Sequence, residues 1–244
     1  MEIIPAVDIR GGKCVQLAQG DYARERVYNT DPVAAALEWQ SLGATRLHVV
    51  DLDGARDGKP VNRPVVERIV AALKIPVEAG GGIRSVEDAL GYAHAGVDRV
   101  ILGTAAVEDV VLVQSLADAL GDRLAIGIDA RDGAVMTRGW LSSGHVNAID
   151  LACRLSGAGV GRFIYTDISR DGMLQGPNTS ALQDFIAAAG CPVIASGGIS
   201  SVEHLEEVAA AGAEGAIVGT ALYEGRFTLS EAQAALSRGK HVRC

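Results

Sequence analysis

An internal repeat constrains the fold of this 244-residue chain more than any other feature of its sequence. Two parts of the chain match without a gap at a constant offset of 116 residues (192 − 76). The paired stretches are Pro76–Glu87 with Pro192–Glu203, Ala95–Gly96 with Ala211–Gly212, and Gly103–Ala105 with Gly219–Ala221. An ungapped match of this length does not arise by chance, so the chain contains two copies of one structural unit.

Short apolar runs alternate with amphipathic stretches along the whole chain. Most of the runs are continuously apolar, which is typical of parallel strands buried on both faces. The predicted strands are Glu2–Asp8, Arg46–Asp51, Pro76–Ala79, Asp98–Leu102, Leu124–Asp129, Arg162–Asp167, Pro192–Ala195 and Gly215–Val218. Helices are predicted between them because apolar residues recur there at three- and four-residue spacing. Examples are Val33–Leu42, Val86–Ala95, Val110–Leu120, Ala148–Leu155, Leu182–Ala189 and Val202–Ala211.

Eight strand–helix units in a chain of this length match the size of a closed barrel. We therefore predict an α/β fold, a single (β/α)₈ TIM barrel built from two duplicated half-barrels at roughly residues 1–120 and 121–244. The alternative is an open, doubly wound sheet. The sequence contains no Pro/Ser-rich tract, charge block or low-complexity segment that would indicate a linker. One domain, residues 1–244, is expected.

Two aspartates end equivalent strands of the two halves. Asp8 ends the first predicted strand and Asp129 ends the fifth. In a closed eight-stranded barrel these strands face each other, and their carboxyl ends open onto the face that carries active sites. The repeat therefore predicts two carboxylates on opposite sides of one cavity, an arrangement suited to general acid–base chemistry.

Each half also contains two glycine turns that could hold a phosphate. They are Gly81-Gly82 with Gly103-Thr104, and Gly197-Gly198 with Gly219-Thr220. Glycine lets the backbone approach an anion closely, and the N-terminus of a following helix presents free N–H groups. Two such sites on opposite sides of a barrel predict a substrate with a phosphate at each end. Alternatively, these glycines serve only as turn residues.

Several other residues are candidates for the site. Thr166, Asp171 and Gly172 lie where the sixth strand enters its loop, although Asp171-Gly172 could be only a turn. Trp140 follows a glycine in a polar loop, where it could stack on a substrate or anchor the loop. His48 lies within a strand, a position more typical of a structural histidine. The other histidines lack metal-ligand spacing, so no metal is predicted and surface or loop positions are expected for His94, His145, His204 and His241.

Composition narrows the class of partner. The net charge of −8 argues against nucleic acid and anionic membranes, but not against phosphates held by backbone N–H groups. The four cysteines form no CxxC pair, which favours a reducing compartment. Neither a signal peptide nor an apolar run of membrane-spanning length is present, so a cytoplasmic protein is expected. We expect a monomer, because a closed barrel leaves no sheet edge to pair.

Motifs along essentially the whole chain resemble those of the phosphoribosylformimino-5-aminoimidazole carboxamide ribotide (ProFAR) isomerases of histidine biosynthesis. The matching segments are Ile4–Asp8, Gln19–Tyr22, His48–Gly54, Gly80–Arg84, Gly139-Trp140, Thr166–Gly172, Gly176–Asn178, Ala195–Ile199 and Gly215–Gly219. The resemblance implies a cofactor-free barrel that converts the aminoaldose ProFAR into the aminoketose PRFAR by an Amadori rearrangement.

The resemblance also implies residue roles. Asp8 would be the general base and Asp129 the general acid, with His48, Thr166 and Asp171 around the reacting sugar. Among the loop residues, Arg84, Trp140 and Gly176 fall in segments expected to contact the substrate. One position departs from the family: Gln16 stands where a basic residue is usual, and Arg10, Lys13 or Arg24 could replace its charge.

Three alternatives stay open at this stage. The related imidazole glycerol phosphate synthase cyclase shares the duplicated barrel, but Arg84, Gly139-Trp140, Gly176–Asn178 and the absence of a lysine at position 16 argue against it. A bifunctional isomerase would also act on phosphoribosylanthranilate, and such relatives share Arg138–Trp140. Outside enzymes, the chain could be a non-catalytic phosphosugar-binding protein.

Overall fold

Eight parallel strands close into a barrel. A computed structural model describes residues 1–137, 139–140 and 142–239. Its barrel strands, numbered one to eight below, are Glu2–Arg10, Leu47–Asp51, Val77–Gly80, Arg99–Leu102, Leu124–Arg131, Phe163–Asp167, Val193–Ser196 and Gly215–Val218. Each strand pairs with the next, and strand eight pairs with strand one from Glu2↔Gly215 to Pro5↔Val218. The predicted TIM barrel is confirmed, and the open sheet was the wrong alternative.

Helices connect successive strands. They are Pro32–Ser41, Leu52–Asp57, Arg63–Ala72, Val86–His94, Thr104–Glu108, Val110–Leu120, Ala148–Gly157, Thr179–Ala189, Val202–Ala210, Thr220–Tyr223 and Leu229–Gly239. The predicted strands and helices are present, with ends that differ by three residues or fewer. Leu52–Asp57, Arg63–Ala72 and Leu229–Gly239 were not among the helices named from the sequence. Within the described ranges, no helix is long and apolar enough to cross a membrane.

The core has two layers because side chains alternate along each strand. In strand one, Val7 and Ile9 face outward and pack in the larger cluster between the strands and the helices. Ile4 and Ala6 face inward and join a smaller cluster inside the barrel. Asp8 is the next inward position after Ala6, so the same alternation carries its carboxylate to the mouth of the barrel.

The repeat is visible in the geometry of the two halves. Ser85 and Ser201, 116 residues apart, each begin a helix by accepting a hydrogen bond from the N–H three residues later. Gly81 and Gly197 share positive φ values of +113° and +94°. A Cβ on Gly81 would lie 2.2 Å from the carbonyl oxygen of Asp51, so only glycine fits where the two backbones approach.

Each half also carries a feature that was not predicted, an antiparallel hairpin after its first strand. Lys13–Ala18 pairs with Asp21–Asn29, and Ala134–Thr137 pairs with Ser142–Asn147. The hairpins extend from the carboxyl ends of strands one and five. They therefore bring loop residues to the face of the barrel where Asp8 and Asp129 lie.

The close approach of the Asp167 backbone to Gly197 predicts that an alanine here destabilises the protein more than an alanine at Gly190. Gly197 has φ +94°, and an added Cβ would lie 2.5 Å from the Asp167 carbonyl oxygen, whereas Gly190 has φ +63° with open space around it. We expect Gly190→Ala to cost about 1 kcal/mol through its backbone conformation alone. Gly197→Ala should cost roughly 1–3 kcal/mol more because backbone must move. Urea denaturation of both variants measures this, and equal losses would contradict the packing argument.

Candidate active site

One cavity of about 230 Å³ opens at the carboxyl ends of the barrel strands. The predicted site residues that line it are Asp8, His48, Gly81, Gly82, Arg84, Gly103, Thr104, Asp129, Trp140, Thr166, Asp171, Gly172, Gly197, Gly198, Gly219 and Thr220. Gly176 lies outside this lining. Its N–H donates a hydrogen bond of 3.0 Å to the Gly198 carbonyl oxygen, so it supports the glycine turn from behind.

Three carboxyl groups share this cavity, and each has a raised pKa. Burial raises the pKa of Asp8 to about 6, although nearby His48 lowers it. Burial, and then repulsion from Asp8 and Asp129, raises the pKa of Asp171 to about 7. Burial also raises the pKa of Asp129, against hydrogen bonds from Trp140 and Thr166 that lower it. The cavity can therefore hold a protonated carboxyl group beside an ionised one near neutral pH, which general acid–base chemistry requires.

Gln16 contacts the predicted base directly. Its Nε2 donates to Oδ2 of Asp8 at 2.9 Å, and its Oε1 accepts from the Thr220 hydroxyl at 3.2 Å. A neutral amide thus joins the Asp8 carboxylate to the turn that begins with Gly219. Arg10, a proposed substitute for the usual basic residue, pairs instead with Glu25 at 2.6 Å. The position was identified in the sequence, but its contacts depend on the hairpin that was not predicted.

The loops after strands one and five meet at the cavity. A Cβ on Gly20 would lie 2.1 Å from the Trp140 indole, so the ring packs against the Gly20 backbone. The Trp140 side chain also hydrogen-bonds to the Asp129 carboxylate. Tyr22 lines the cavity and donates from its hydroxyl to the Leu52 carbonyl oxygen at 3.0 Å. Arg138, which belongs to the motif shared with bifunctional relatives, lies outside the described residues, as do His241 and Cys244.

The two sets of glycine turns differ in their side chains. Arg84, in the first half, lines the cavity and pairs with Glu108 at 2.8 Å. Its repeat counterpart is Ser200, whose N–H and hydroxyl both lie within 3.3 Å of Nδ1 of His204. The backbone turns are thus duplicated, but of the two counterparts only Arg84 carries a charge.

His48 is buried and lines the cavity floor, with its Nδ1 2.8 Å from the Glu78 carboxylate. Sequence reasoning missed Glu78, because a single glutamate in an apolar run gives no signal of its neighbours on other strands. Among the residues that the structure describes, no group of three or more His, Cys, Asp or Glu side chains is arranged to hold a metal ion.

The fold and this cavity define a (β/α)₈-barrel protein equipped for acid–base chemistry. Residues 2–228 match the family described as histidine biosynthesis protein, and the chain belongs to that family. The family resemblance found in the sequence is therefore confirmed.

Curated relatives match over nearly their whole length and share one name, 1-(5-phosphoribosyl)-5-((5-phosphoribosylamino)methylideneamino)imidazole-4-carboxamide isomerase. A relative from Dehalococcoides mccartyi is 56% identical over 97% of this chain and 100% of its own length. A relative from Chloroflexus aggregans is 52% identical over 95% of this chain and 96% of its own length. A relative from a Cyanothece species is 51% identical over 98% of this chain and 95% of its own length.

The contact between Gln16 and Asp8 predicts opposite pKa shifts in two variants. In Gln16→Arg, a cation beside Asp8 should bring the pKa of that carboxyl below about 6. In Gln16→Leu, loss of the hydrogen bond to the charged form should raise the pKa instead. Carbon-13 NMR titration of the aspartate carboxyl groups measures both, and shifts of the same sign would contradict the contact.

Proposed function

We propose that this protein is an aldose–ketose isomerase that converts ProFAR into PRFAR in histidine biosynthesis. The observation that carries the proposal is the pair of carboxyl groups, Asp8 and Asp129, at the ends of opposite barrel strands in one cavity. The 56%-identical relative with an isomerase name supports it, since that likeness extends over 97% of the chain.

The rearrangement needs one acid and one base on the two sides of a ribose ring. Asp129 donates a proton to the ring oxygen, the bond from that oxygen to C1 breaks, and a protonated imine forms between C1 and the attached nitrogen. Asp8 then removes the proton from C2, which gives an enol at C1 and C2. The enol gains a proton at C1 and loses the one on the 2-hydroxyl, leaving the ketose, so no proton is gained or lost overall.

The raised pKa values support this division of roles. Gln16 donates to Asp8 and so favours its charged form, which the base requires. For Asp129, burial favours the protonated form, which an acid requires, and Thr166 contacts it from the neighbouring strand. Asp171, whose pKa is about 7, can also hold a proton near neutral pH.

The glycine turns are suited to the two phosphates of the substrate. Gly81-Gly82 and Gly197-Gly198 each precede a helix that begins four residues after the second glycine. Gly103-Thr104 and Gly219-Thr220 complete the two sites, and the guanidinium group of Arg84, which pairs with Glu108, lies at the first. We further propose that the chain acts as one barrel domain and as a cytoplasmic monomer, with no nucleic acid or membrane partner and no cofactor.

Turnover of ProFAR tests the proposed function. Purified protein is given ProFAR, phosphoribosylanthranilate, and PRFAR with ammonia in separate assays followed by absorbance. We expect turnover of ProFAR, and its absence would refute the proposal. Turnover of phosphoribosylanthranilate as well would indicate a bifunctional isomerase, and turnover of PRFAR with ammonia would indicate the cyclase.

Substitution of the carboxylates tests their roles. Asp8→Asn and Asp129→Asn should each lower kcat by at least about 100-fold with little change in KM, because each removes a proton-transfer group. Asp118→Asn changes an exposed aspartate on the outer helix Val110–Leu120 and should leave kcat unchanged. A larger loss in Asp171→Asn than in Asp129→Asn would move the acid role to Asp171.

The pH dependence of kcat/KM should follow from the same groups. The base must be ionised, so kcat/KM should fall about tenfold per pH unit as the pH drops below the Asp8 pKa of about 6. The acid must be protonated, so kcat/KM should fall again at higher pH, above the raised pKa of Asp129. In Gln16→Arg the acidic limb should move to lower pH while the alkaline limb stays. A flat profile from pH 5 to 7 would contradict the assignment of Asp8 as base.

A further inference from the structure

A network of one histidine and two charged side chains crosses the interior of the barrel beneath the cavity. His48 on strand two, Glu78 on strand three and Arg99 on strand four occupy paired positions on adjacent strands. Nδ1 of His48 lies 2.8 Å from Oε1 of Glu78, and Nη1 of Arg99 donates to Oε2 of Glu78 at 3.2 Å. Glu78 is fully buried and His48 is 8% exposed. The proton-transfer steps described above use neither Glu78 nor Arg99.

The second half of the barrel shows what the fold itself requires at these positions. The repeat counterparts, 116 residues later, are Ile164, Ile194 and Gly215, and they pair in the same register. Both isoleucines are buried in the apolar cluster inside the barrel. A buried ion network is often no more stable than apolar residues of similar volume. The second half therefore indicates that the network of His48, Glu78 and Arg99 is not needed to fill the barrel.

The contacts indicate where the imidazole carries its hydrogen. Arg99 forms an ion pair with Glu78, and a carboxylate in an ion pair can only accept, so the ring nitrogen that faces Glu78 acts as the N–H donor. Arg99 can only donate, and it occupies the other carboxylate oxygen. Because Nδ1 is bound to Glu78, Nε2 is the ring nitrogen that can contact a molecule in the cavity that His48 lines. The charged groups that face His48 are Glu78 from strand three and, across the cavity, Asp8 and Asp129.

We infer that Glu78 and Arg99 are positioning residues, which hold His48 as the Nδ1–H tautomer and direct its Nε2 at the reacting sugar. In the neutral ring, Nε2 then presents a lone pair to a substrate hydroxyl group. This inference rests on the proposed isomerase function for the identity of the substrate. The tautomer itself is a property of the free protein and is measured without any substrate.

Glu78→Gln gives the sharpest test, because it should reverse the tautomer. The Arg99 guanidinium requires an acceptor, so the amide oxygen of Gln should face Arg99 and its NH₂ group should face Nδ1. Nδ1 must then accept, which moves the hydrogen to Nε2. Nitrogen-15 NMR of labelled histidine should show a protonated Nδ1 in the native protein and a protonated Nε2 in E78Q. A native His48 protonated at Nε2 in its neutral form would overturn the inference even if every variant folded badly.

Kinetics separate positioning from a structural role. E78Q should lower kcat by roughly 10- to 100-fold, as is usual when the partner that orients a functional histidine is changed, with KM altered much less. In a His48→Asn background the same change should have no further effect, because Glu78 acts through His48. An equal loss in both backgrounds, or a native rate in E78Q, would overturn the inference. Ile194→Val, the matched change at the repeat counterpart of Glu78, should leave kcat within about twofold.

A variant copied from the second half addresses stability. His48→Ile, Glu78→Ile and Arg99→Gly together give the first half the residues that the second half already carries. We expect this triple variant to fold with an unchanged or higher Tm and to lose most of its activity. A large fall in Tm would show that the network is needed for stability and would overturn the inference. If the native protein failed to turn over ProFAR, the proposed function would be refuted, while the NMR experiment would still decide the tautomer.

Discussion

The pairing of the first strand with the last is the constraint on which the rest of the structure depends. Hydrogen bonds from Glu2↔Gly215 to Pro5↔Val218 close the sheet, so no barrel strand is left with an unpaired edge. Closure also places strands one and five on opposite sides of one interior. Because side chains alternate along a strand, the inward positions that bury Ile4 and Ala6 lead directly to Asp8 at the barrel mouth. The fold and the placement of the carboxylates are thus consequences of one geometry.

Burial then changes the proton affinity of the carboxyl groups in the cavity. Three carboxyl groups in a cavity lose most of their hydration, and the charged form of each becomes less favourable. Their neighbours then differ. Gln16 donates to Asp8 and nearby His48 lowers the pKa of that carboxyl, while hydrogen bonds from Trp140 and Thr166 lower the pKa of Asp129. Asp171 combines burial with repulsion from both other aspartates, which raises its pKa to about 7. The loops after strands one and five therefore affect proton affinity as well as access to the site.

Much of this could be predicted from the sequence, and the missing parts share one physical reason. Continuous apolar runs and the 116-residue repeat predicted the strands, the barrel and one cavity that holds both aspartates and the glycine turns, because strand ends in a barrel converge. The hairpins after strands one and five were missed. In the first hairpin, Asp21–Asn29 is mostly exposed and pairs with Lys13–Ala18, so it carries no apolar run that marks a strand. The contacts of Gln16 depend on that hairpin, and the Glu78 contacts depend on register between strands. Such partners are distant in the chain, so local pattern does not identify them.

The two halves share their backbone but differ in the side chains at the cavity. The caps at Ser85 and Ser201 and the glycine turns before them are alike in both copies. In contrast, the counterparts of Thr166 and Asp171 in the first half are Val50 and Ala55, which also line the cavity, and the counterpart of His48 in the second half is Ile164. A symmetric site would present the same groups to both ends of a substrate. An isomerisation that takes a proton from one atom and gives one to another needs different groups on the two sides of the substrate. The residues that differ between the two halves supply these different groups, although the backbone is duplicated.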